Sequence, residues 1–348
     1  MRAKKVKIKL PSSILFLVLL LYLFGVYFFK EKQQVQLPAN DLPICLYSNQ
    51  AGDDLRYTFT QAILSAKESI VCLIYSLTDE EIIAALRRKS EEGVSVLVIH
   101  DPVATSDVAH RLGPKVELVG RRTKGLMHNK LLSIDRKVAW IGSANFTRDS
   151  LQLHANLVMG IASPIIAQSI EEKAQALITK APRRFTPLSI KTSTQELMFS
   201  YLPDDSLALQ KLVSQIEAAQ KTIKVAMFTF THPKLVDALV SAHKRGLDVE
   251  VVFDRDSSRQ TSSKAFQRLK REKMKAYVSD RNGLLHEKVA IIDEAMLLMG
   301  SANWTKAAFT ANDENLLMLW PLTKEQQAKL QHFWQTTLRE SQLATKSL

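Results

Sequence analysis

Most of this 348-residue chain consists of two similar copies of one sequence pattern, and this internal repeat limits its possible folds more than any other feature. Residues 68–79 resemble residues 221–232, at an offset of 153. Farther along the chain the offset becomes 158, so that residues 125–145 align with residues 283–303. A repeat of this length predicts two similarly folded halves.

Each half alternates apolar strands with amphipathic helices. In the first half, the pattern predicts strands at Val71–Ser76 and Val94–Ile99, on either side of a helix at Asp79–Glu91. The matching segments of the second half are Lys224–Thr229, Val249–Phe253 and Pro233–Arg245. Gly93 and Gly246 follow the helices, as C-terminal glycines do. The alternation predicts an α/β fold with a largely parallel central sheet in each half.

The boundaries of the two halves follow from composition. A segment rich in Pro, Ser and Thr at residues 181–194 separates them and is typical of a linker. We therefore predict a first domain at residues 43–180 and a second at residues 195–340. The repeat predicts that they face each other about a pseudo-two-fold axis.

The amino terminus carries a membrane-targeting pattern. Cations in residues 2–9 precede the uncharged run Ile14–Phe29, whose length approaches that of a helix spanning a bilayer. Because cations hold their flank in the cytoplasm, we predict a basic flank and a single-pass transmembrane anchor within residues 1–30, a tether at residues 31–42, and a catalytic body on the non-cytoplasmic side. The alternative is a cleaved signal peptide, which would make the protein secreted or periplasmic.

Charge and composition limit the classes of function that the chain can have. Lys and Arg number 47 against 35 Asp and Glu, which gives a net charge of +12 and favours anionic partners such as phospholipid headgroups or nucleic acid. Two cysteines are too few for a disulfide scaffold or a cysteine-based zinc cluster.

One motif occurs in both halves with identical spacing. The first copy is His128-x-Lys130-x4-Asp135-x6-Gly142-Ser143-x-Asn145, and the second is His286-x-Lys288-x4-Asp293-x6-Gly300-Ser301-x-Asn303. Six such identities arise by chance at about one in 10⁸ starting positions, and here they occur twice in register. The motif is therefore a strong indication of a functional site.

The spacing of the motif suits the binding of a phosphate. His and Lys at i and i+2 of a strand leave it on the same face. Ser and Asn at the following strand-to-helix turn offer donors to an anion. One His, one Lys and one Asn from each half can therefore surround a single phosphate.

These residue types predict cleavage of a phosphodiester. A neutral imidazole attacks phosphorus to form a phosphohistidine, and a second, protonated imidazole protonates the leaving alkoxide. Two Lys and two Asn stabilise the charge on the non-bridging oxygens, so no metal or other cofactor is expected. Asp135 and Asp293 either hold the turn or pair with the lysines.

The duplicated motif is the HKD motif, and the chain resembles the phospholipase D superfamily from about residue 45 to 335. The resemblance implies two α/β/α sandwich domains with the site at their interface, and a metal-independent ping-pong reaction. The positions that match the catalytic residues of the family are His128, Lys130, Asn145, His286, Lys288 and Asn303, with Ser143 and Ser301 in support.

The same resemblance implies an acidic residue that accepts the other ring proton of each histidine. Glu314, which follows His286 in the second copy, matches this role. In the first copy we place Ala155 opposite Glu314, after a shift of one residue. His128 then either lacks a carboxylate or uses Asp149, His154 or Asn156. The precedent of the family favours His128 as the nucleophile.

The chemistry leaves the substrate open. Hydrolysis of phospholipid headgroups by a membrane-anchored enzyme is the first interpretation. A nuclease that cleaves DNA or RNA by the same mechanism is the second, and phosphatidyl transfer, as in cardiolipin synthesis, is a variant of the first. Because both motifs belong to one chain, we predict a monomer.

Overall fold

The computed structural model describes residues 13, 16–20, 22, 35–40, 44–105, 107–122, 124–180 and 184–343. Residues 37–348 form one compact unit, and residues 1–36 form a separate one. Among the described residues, we find no helix with both the length and the apolar character that crossing a membrane requires. Of the predicted anchor Ile14–Phe29, residues 16–20 and 22 are helical, and its other residues and the basic flank lie outside the described residues.

Lobe one, residues 44–180, contains a seven-stranded sheet. Its elements are β1 (Ile44–Ser48), a 3-10 turn (Asn49–Ala51), α1 (Leu55–Leu64), β2 (Ser69–Ile74), α2 (Glu80–Glu91), β3 (Ser95–His100), α3 (Ala109–Leu112), β4 (Glu117–Gly120), β5 (Lys130–Ile134), β6 (Val138–Gly142), α4 (Arg148–Gln152), β7 (Leu157–Ala162) and α5 (Pro164–Thr179). The strand order is β1-β7-β6-β5-β2-β3-β4.

Lobe two, residues 188–343, repeats this plan in a nine-stranded sheet. Its elements are β8 (Leu188–Lys191), β9 (Glu196–Leu202), α6 (Ala208–Ala218), β10 (Thr222–Met227), α7 (Pro233–Lys244), β11 (Asp248–Phe253), α8 (Arg255–Arg259), α9 (Ser263–Arg271), β12 (Lys275–Ser279), β13 (Lys288–Ile292), β14 (Met296–Gly300), α10 (Lys306–Thr310), β15 (Glu314–Trp320), α11 (Lys324–Arg339) and β16 (Ser341–Leu343). The strand order is β16-β12-β11-β10-β13-β14-β15-β9-β8, and edge strand β8 lies within the predicted linker.

The two sheets are mixed, so the prediction of largely parallel sheets is wrong. Among the named strands of the described residues, only β2-β3-β4 and β10-β11-β12 pair in parallel, and the strands that carry the motifs pair antiparallel. The physical reason is the short turn inside each motif, since a few residues can join only antiparallel neighbours. The duplication itself is confirmed, because β2 pairs with β5 as β10 pairs with β13.

The local signals of the helices agree with the sequence. Asp79 caps α2 by accepting from the backbone N–H groups of Glu81 and Ile82, and Gly93 after this helix has φ +92°. One hydrophobic core includes residues from both sheets, among them Leu131 of β5 and Leu317 of β15. This shared core fixes the motif-bearing strands of the two lobes against each other.

Candidate active site

The two motif histidines lie where the lobes meet, two residues before the starts of β5 and β13. The backbone N–H of His128 donates to Asp313 O at 2.9 Å, and that of His286 donates to Ala155 O at 3.0 Å. Both bonds belong to short parallel bridges that join the lobes. Each histidine is therefore held by the backbone of the opposite lobe.

The imidazole rings also have partners from the opposite lobe. His128 Nδ1 lies 2.8 Å from Glu314 Oε2, and His286 Nδ1 lies 3.1 Å from Asn156 Oδ1. The predictions that Glu314 orients His286, and that His128 turns to a residue of its own half, are therefore wrong. Because β7 and β15 begin at the junction, Asn156, directly before β7, and Glu314, at the start of β15, reach the other lobe.

Asn156 occupies the structural position of Glu314. It stands as far after His128 in the chain as Glu314 stands after His286, so the assumed one-residue shift to Ala155 is wrong. Ser143 Oγ donates to Asn156 Oδ1 at 2.8 Å, and Ser301 Oγ donates to Glu314 Oε2 at 2.6 Å. The motif serines thus hold the residues that orient the histidines of the opposite lobe.

Each motif lysine packs beside its histidine. Lys130 Nζ donates to His128 O at 2.7 Å, and Lys288 Nζ donates to His286 O at 2.6 Å. Each ammonium also lies close to the centre of an aromatic ring, at 4.9 Å from Tyr75 and at 5.0 Å from Phe228. Tyr75 and Phe228 also contact His128 and His286, with ring centroids 4.9 and 5.1 Å apart.

Burial lowers the pKa of all four groups, and repulsion from neighbouring cations adds to it for His128, His286 and Lys288. Desolvation is the largest cause for each; it lowers the pKa of Lys130 to about 7 and takes that of Lys288 well below its usual range. The pKa of His286 is also well below its ordinary value, because of burial and then of Lys288, Lys130 and His128. For His128, burial outweighs the opposing effect of the Glu314 carboxylate and lowers the pKa. An anion in contact with these groups would restore their protonation.

The motif asparagines lie in the turns that follow β6 and β14. The backbone N–H of Asn145 donates to Ser150 Oγ at 2.9 Å, and the buried Asn145 Oδ1 has no hydrogen-bond partner within the described part of the chain. Asn303 Oδ1 accepts from the backbone N–H of Thr229 at 3.2 Å. Their predicted contact with a phosphate stays a prediction.

The motif aspartates hold turns and do not pair with the lysines. Asp135 accepts from the backbone N–H groups of Lys67, Glu68 and Ser69 at 2.7–3.0 Å. Asp293 makes the corresponding bonds to residues 220–222. Both aspartates lie in left-handed backbone after Ile134 and Ile292, at the far ends of β5 and β13 from the lysines.

Two aspartates that we did not assign to the site position the chain entering it. Asp101 Oδ2 accepts from the backbone N–H of Met127 at 3.2 Å, and Asp254 Oδ2 accepts from that of Leu285 at 3.1 Å. Each bond fixes the residue directly before a motif histidine. The signal in the sequence was their alignment at the common offset of the repeat, at the ends of β3 and β11.

Comparison with known families supports the duplicated site. The family model described as "Cardiolipin synthase, PLD-like domain" matches residues 59–178 and 212–335. The solved phosphatidylserine synthase of Haemophilus influenzae Rd KW20 has a TM-score of 0.68 at 15% identity and covers 88% of both chains, which shows a shared fold.

Curated relatives match over a shorter stretch. The mitochondrial cardiolipin hydrolase of Xenopus laevis is 31% identical over 136 residues, which are 38% of this chain and 64% of that protein. The phospholipase D of Rickettsia typhi is 32% identical over 108 residues, which are 31% of this chain and 52% of that protein. The match therefore spans between half and two thirds of these relatives.

Proposed function

Since this chain belongs to the family of phospholipase D-like domains, we propose that it is a phosphodiesterase that acts on phospholipid headgroups. The observation that carries the proposal is the pair of histidine–lysine sets from two lobes. Each histidine is held at the junction by a backbone bond to the opposite lobe, and each lysine donates to the carbonyl of its own motif histidine. Two imidazoles and two ammonium groups in one buried site suit in-line displacement at an anionic phosphorus.

The proposed reaction passes through a phosphohistidine. Glu314 and Asn156 accept from the Nδ1 atoms, so that Nε2 is the reactive atom of each ring. One Nε2 attacks phosphorus while the other gives its proton to the leaving oxygen. Lys130 and Lys288 provide the positive charge that a metal ion would otherwise supply, and we expect turnover in the presence of EDTA.

The rim of the site favours a lipid substrate. Val103, Leu126 and Leu153 are exposed by 83%, 41% and 52%. The backbone N–H groups of Val103 and Met127 donate to the same Asp101 carboxylate, and Met127 adjoins both Leu126 and His128. Leu153 lies two positions before Ala155, whose carbonyl holds His286. Apolar side chains around a catalytic site suit the surface of a bilayer.

A nuclease is the second candidate, because the net charge of +12 also suits a nucleic acid. Transfer of the phosphatidyl group to another alcohol requires only that an alcohol replaces water in the second step.

We further propose that the amino-terminal run anchors the chain in a membrane, with the catalytic body on the non-cytoplasmic side.

A direct comparison of substrates tests the proposal. With EDTA present, we expect release of headgroups from phospholipid vesicles and little cleavage of single-stranded DNA. His128→Ala and His286→Ala should each abolish turnover, while His332→Ala, at an exposed position of α11, serves as the matched control. Cleavage of DNA alone would contradict the choice of lipid, and full activity of His286→Ala would contradict a shared site.

A further inference from the structure

A third histidine, outside the two motifs, lies beside the candidate site. The ring centroid of His154, in the segment between α4 and β7, lies 6.1 Å from that of His286. His154 is partly exposed, whereas His286 is buried. Among the described residues, neither ring nitrogen of His154 has a hydrogen-bond partner. The fold therefore brings a third imidazole to the site without using its nitrogens.

The second copy of the repeat has an asparagine at this place, and the fold uses its side chain. Asn312 stands 158 residues after His154, which is the offset between the motifs. Its Oδ1 accepts from the backbone N–H of Leu126 at 3.0 Å, and its Nδ2 donates to Glu314 Oε1 at 3.2 Å. Asn312 thus fixes the segment of lobe one that enters the first motif.

In the other bridge between the lobes, an arginine does the corresponding structural work. Arg281 Nη1 donates to Leu153 O and to Leu284 O, and so joins the two segments that form this bridge. Its Nε also pairs with Glu340 Oε2 at 3.0 Å. Because the arginine holds this bridge, the ring of His154 is available to a ligand.

The surroundings keep the ring of His154 neutral at pH 7. Burial is the largest influence and lowers the pKa of the ring from 6.5, and Arg281 and Lys288 act in the same direction. The carboxylates of Asp149 and Asp254 oppose this decrease without reversing it. A neutral imidazole has one N–H donor and one acceptor nitrogen. The ring therefore matches a hydroxyl group, which also donates one hydrogen bond and accepts others.

A quaternary ammonium headgroup suits this place poorly. Such a group has no N–H or O–H, so it forms no hydrogen bond with an imidazole. Lys288 and Arg281, which both act on the ring of His154, would also repel it. An uncharged headgroup with hydroxyl groups meets neither obstacle.

We propose that His154 is a substrate-binding residue that selects phospholipids whose headgroup carries a hydroxyl group. The inference rests on the proposed phosphodiesterase function and specifies the class of headgroup. The phosphate lies between the two motif histidines, and the headgroup extends from it on the side of His286. A hydroxyl group close to the ester oxygen then forms a hydrogen bond with the imidazole of His154.

Competition between two lipids in one vesicle tests the inference. Vesicles with equal amounts of phosphatidylglycerol and phosphatidylcholine present both headgroups on the same surface, so the ratio of released glycerol to released choline reports selection. We expect the full wild-type chain to prefer glycerol and His154→Ala to lose about tenfold of this preference, which is the size of one hydrogen bond. His154→Phe keeps a ring without polar atoms and should behave like His154→Ala. His154→Gln keeps a donor and an acceptor and should restore most of the preference.

The controls separate selection from folding. His332→Ala, at an exposed position of α11, is the matched control and should keep the wild-type ratio. An unchanged ratio in His154→Ala, or a wild-type preference for choline, would overturn the inference while leaving the phosphodiesterase function intact. Absence of wild-type turnover on both lipids would contradict the proposed function.

A binding measurement tests the same contact without turnover. Added to the full chain, sn-glycerol 1-phosphate should shift the NMR signals of the His154 ring more than phosphocholine does, because only the former carries hydroxyl groups on its organic part. Equal shifts with the two probes would overturn the inference, whatever the turnover.

Discussion

Glu287 adjoins His286 in the chain and is fully buried between the lobes. Burial is the largest influence on it and raises the pKa of its carboxyl from 4.5 to about 8, although Arg281 opposes this effect. With its amide nitrogen toward Glu287, Gln50 of the 3-10 turn donates to Glu287 Oε1 at 3.2 Å and accepts from Arg281 at 3.2 Å. Glu287 Oε2 has no hydrogen-bond partner among the described residues. The fold therefore holds this carboxyl in its neutral form at pH 7.

The consequence is a loss of stability as the pH rises. A carboxyl with a raised pKa binds its proton in the folded chain and releases it in the unfolded chain above about pH 4.5. Each pH unit between 4.5 and 8 then lowers the free energy of unfolding by about 1.4 kcal/mol, which amounts to about 3 kcal/mol at pH 7. Glu287→Gln keeps the size and the neutral state of the side chain without the need for a proton.

We therefore expect Glu287→Gln to match the wild type near pH 4.5 and to be more stable by about 3 kcal/mol at pH 7. Urea unfolding of residues 37–348, followed by circular dichroism from pH 4.5 to 8, measures this difference. Glu217→Gln, on the exposed side of α6, is the matched control and should follow the wild type at every pH. If the curves for Glu287→Gln and the wild type stay parallel across this range, the reasoning is refuted.

Three further predictions concern the turn, the rim and the amino terminus. Asp135→Ala should cost about 1–3 kcal/mol of stability, because it leaves three backbone N–H donors without their carboxylate. Burial raises the pKa of Asp135, but the three donors together outweigh burial and lower it. The contribution of Asp135 to stability should therefore be present above about pH 4 and fall as the pH drops through the folded-state pKa. Acid unfolding of the variant checks this dependence. Replacing Leu126 and Leu153 by Gln should reduce turnover on vesicles about tenfold more than on a water-soluble phosphodiester, and equal losses would contradict the apolar rim. Removing residues 1–35 should release an active protein from membranes, and sedimentation of the shortened chain with vesicles washed in high salt would contradict the proposed anchor.

Much of the local structure could be predicted from the sequence. Leu330, Phe333 and Trp334 recur at helical spacing in the sequence, and they lie buried along one face of helix α11, Lys324–Arg339. The predicted first strands are two residues too late, at Val71 instead of Ser69 and at Lys224 instead of Thr222. Apolar periodicity finds the element, but the hydrogen bonds to neighbouring strands decide where it begins.

The motif predicted the residues of the candidate site, but not which of them contact each other. The equal separation of Asn156 from His128 and of Glu314 from His286 is visible in the chain, and it would have identified Asn156 had no shift been assumed. Which histidine each of these residues contacts is a different question. Glu314 reaches His128 across 186 residues, while His286, which is far nearer to Glu314 in the sequence, contacts Asn156.

The duplication, the spacing of its residues and the alternation of strands and helices were determined by the sequence alone, because they are local patterns that repeat along the chain. The crossed pairing of the histidines was decided only by the tertiary structure. It depends on the shared core, which packs the segments entering β5 and β13 against the segments entering β15 and β7. The Glu314 carboxylate contacts His128, and the Asn156 carboxamide contacts His286, because the two lobes meet at this place. The separation of these residues along the chain does not predict these contacts.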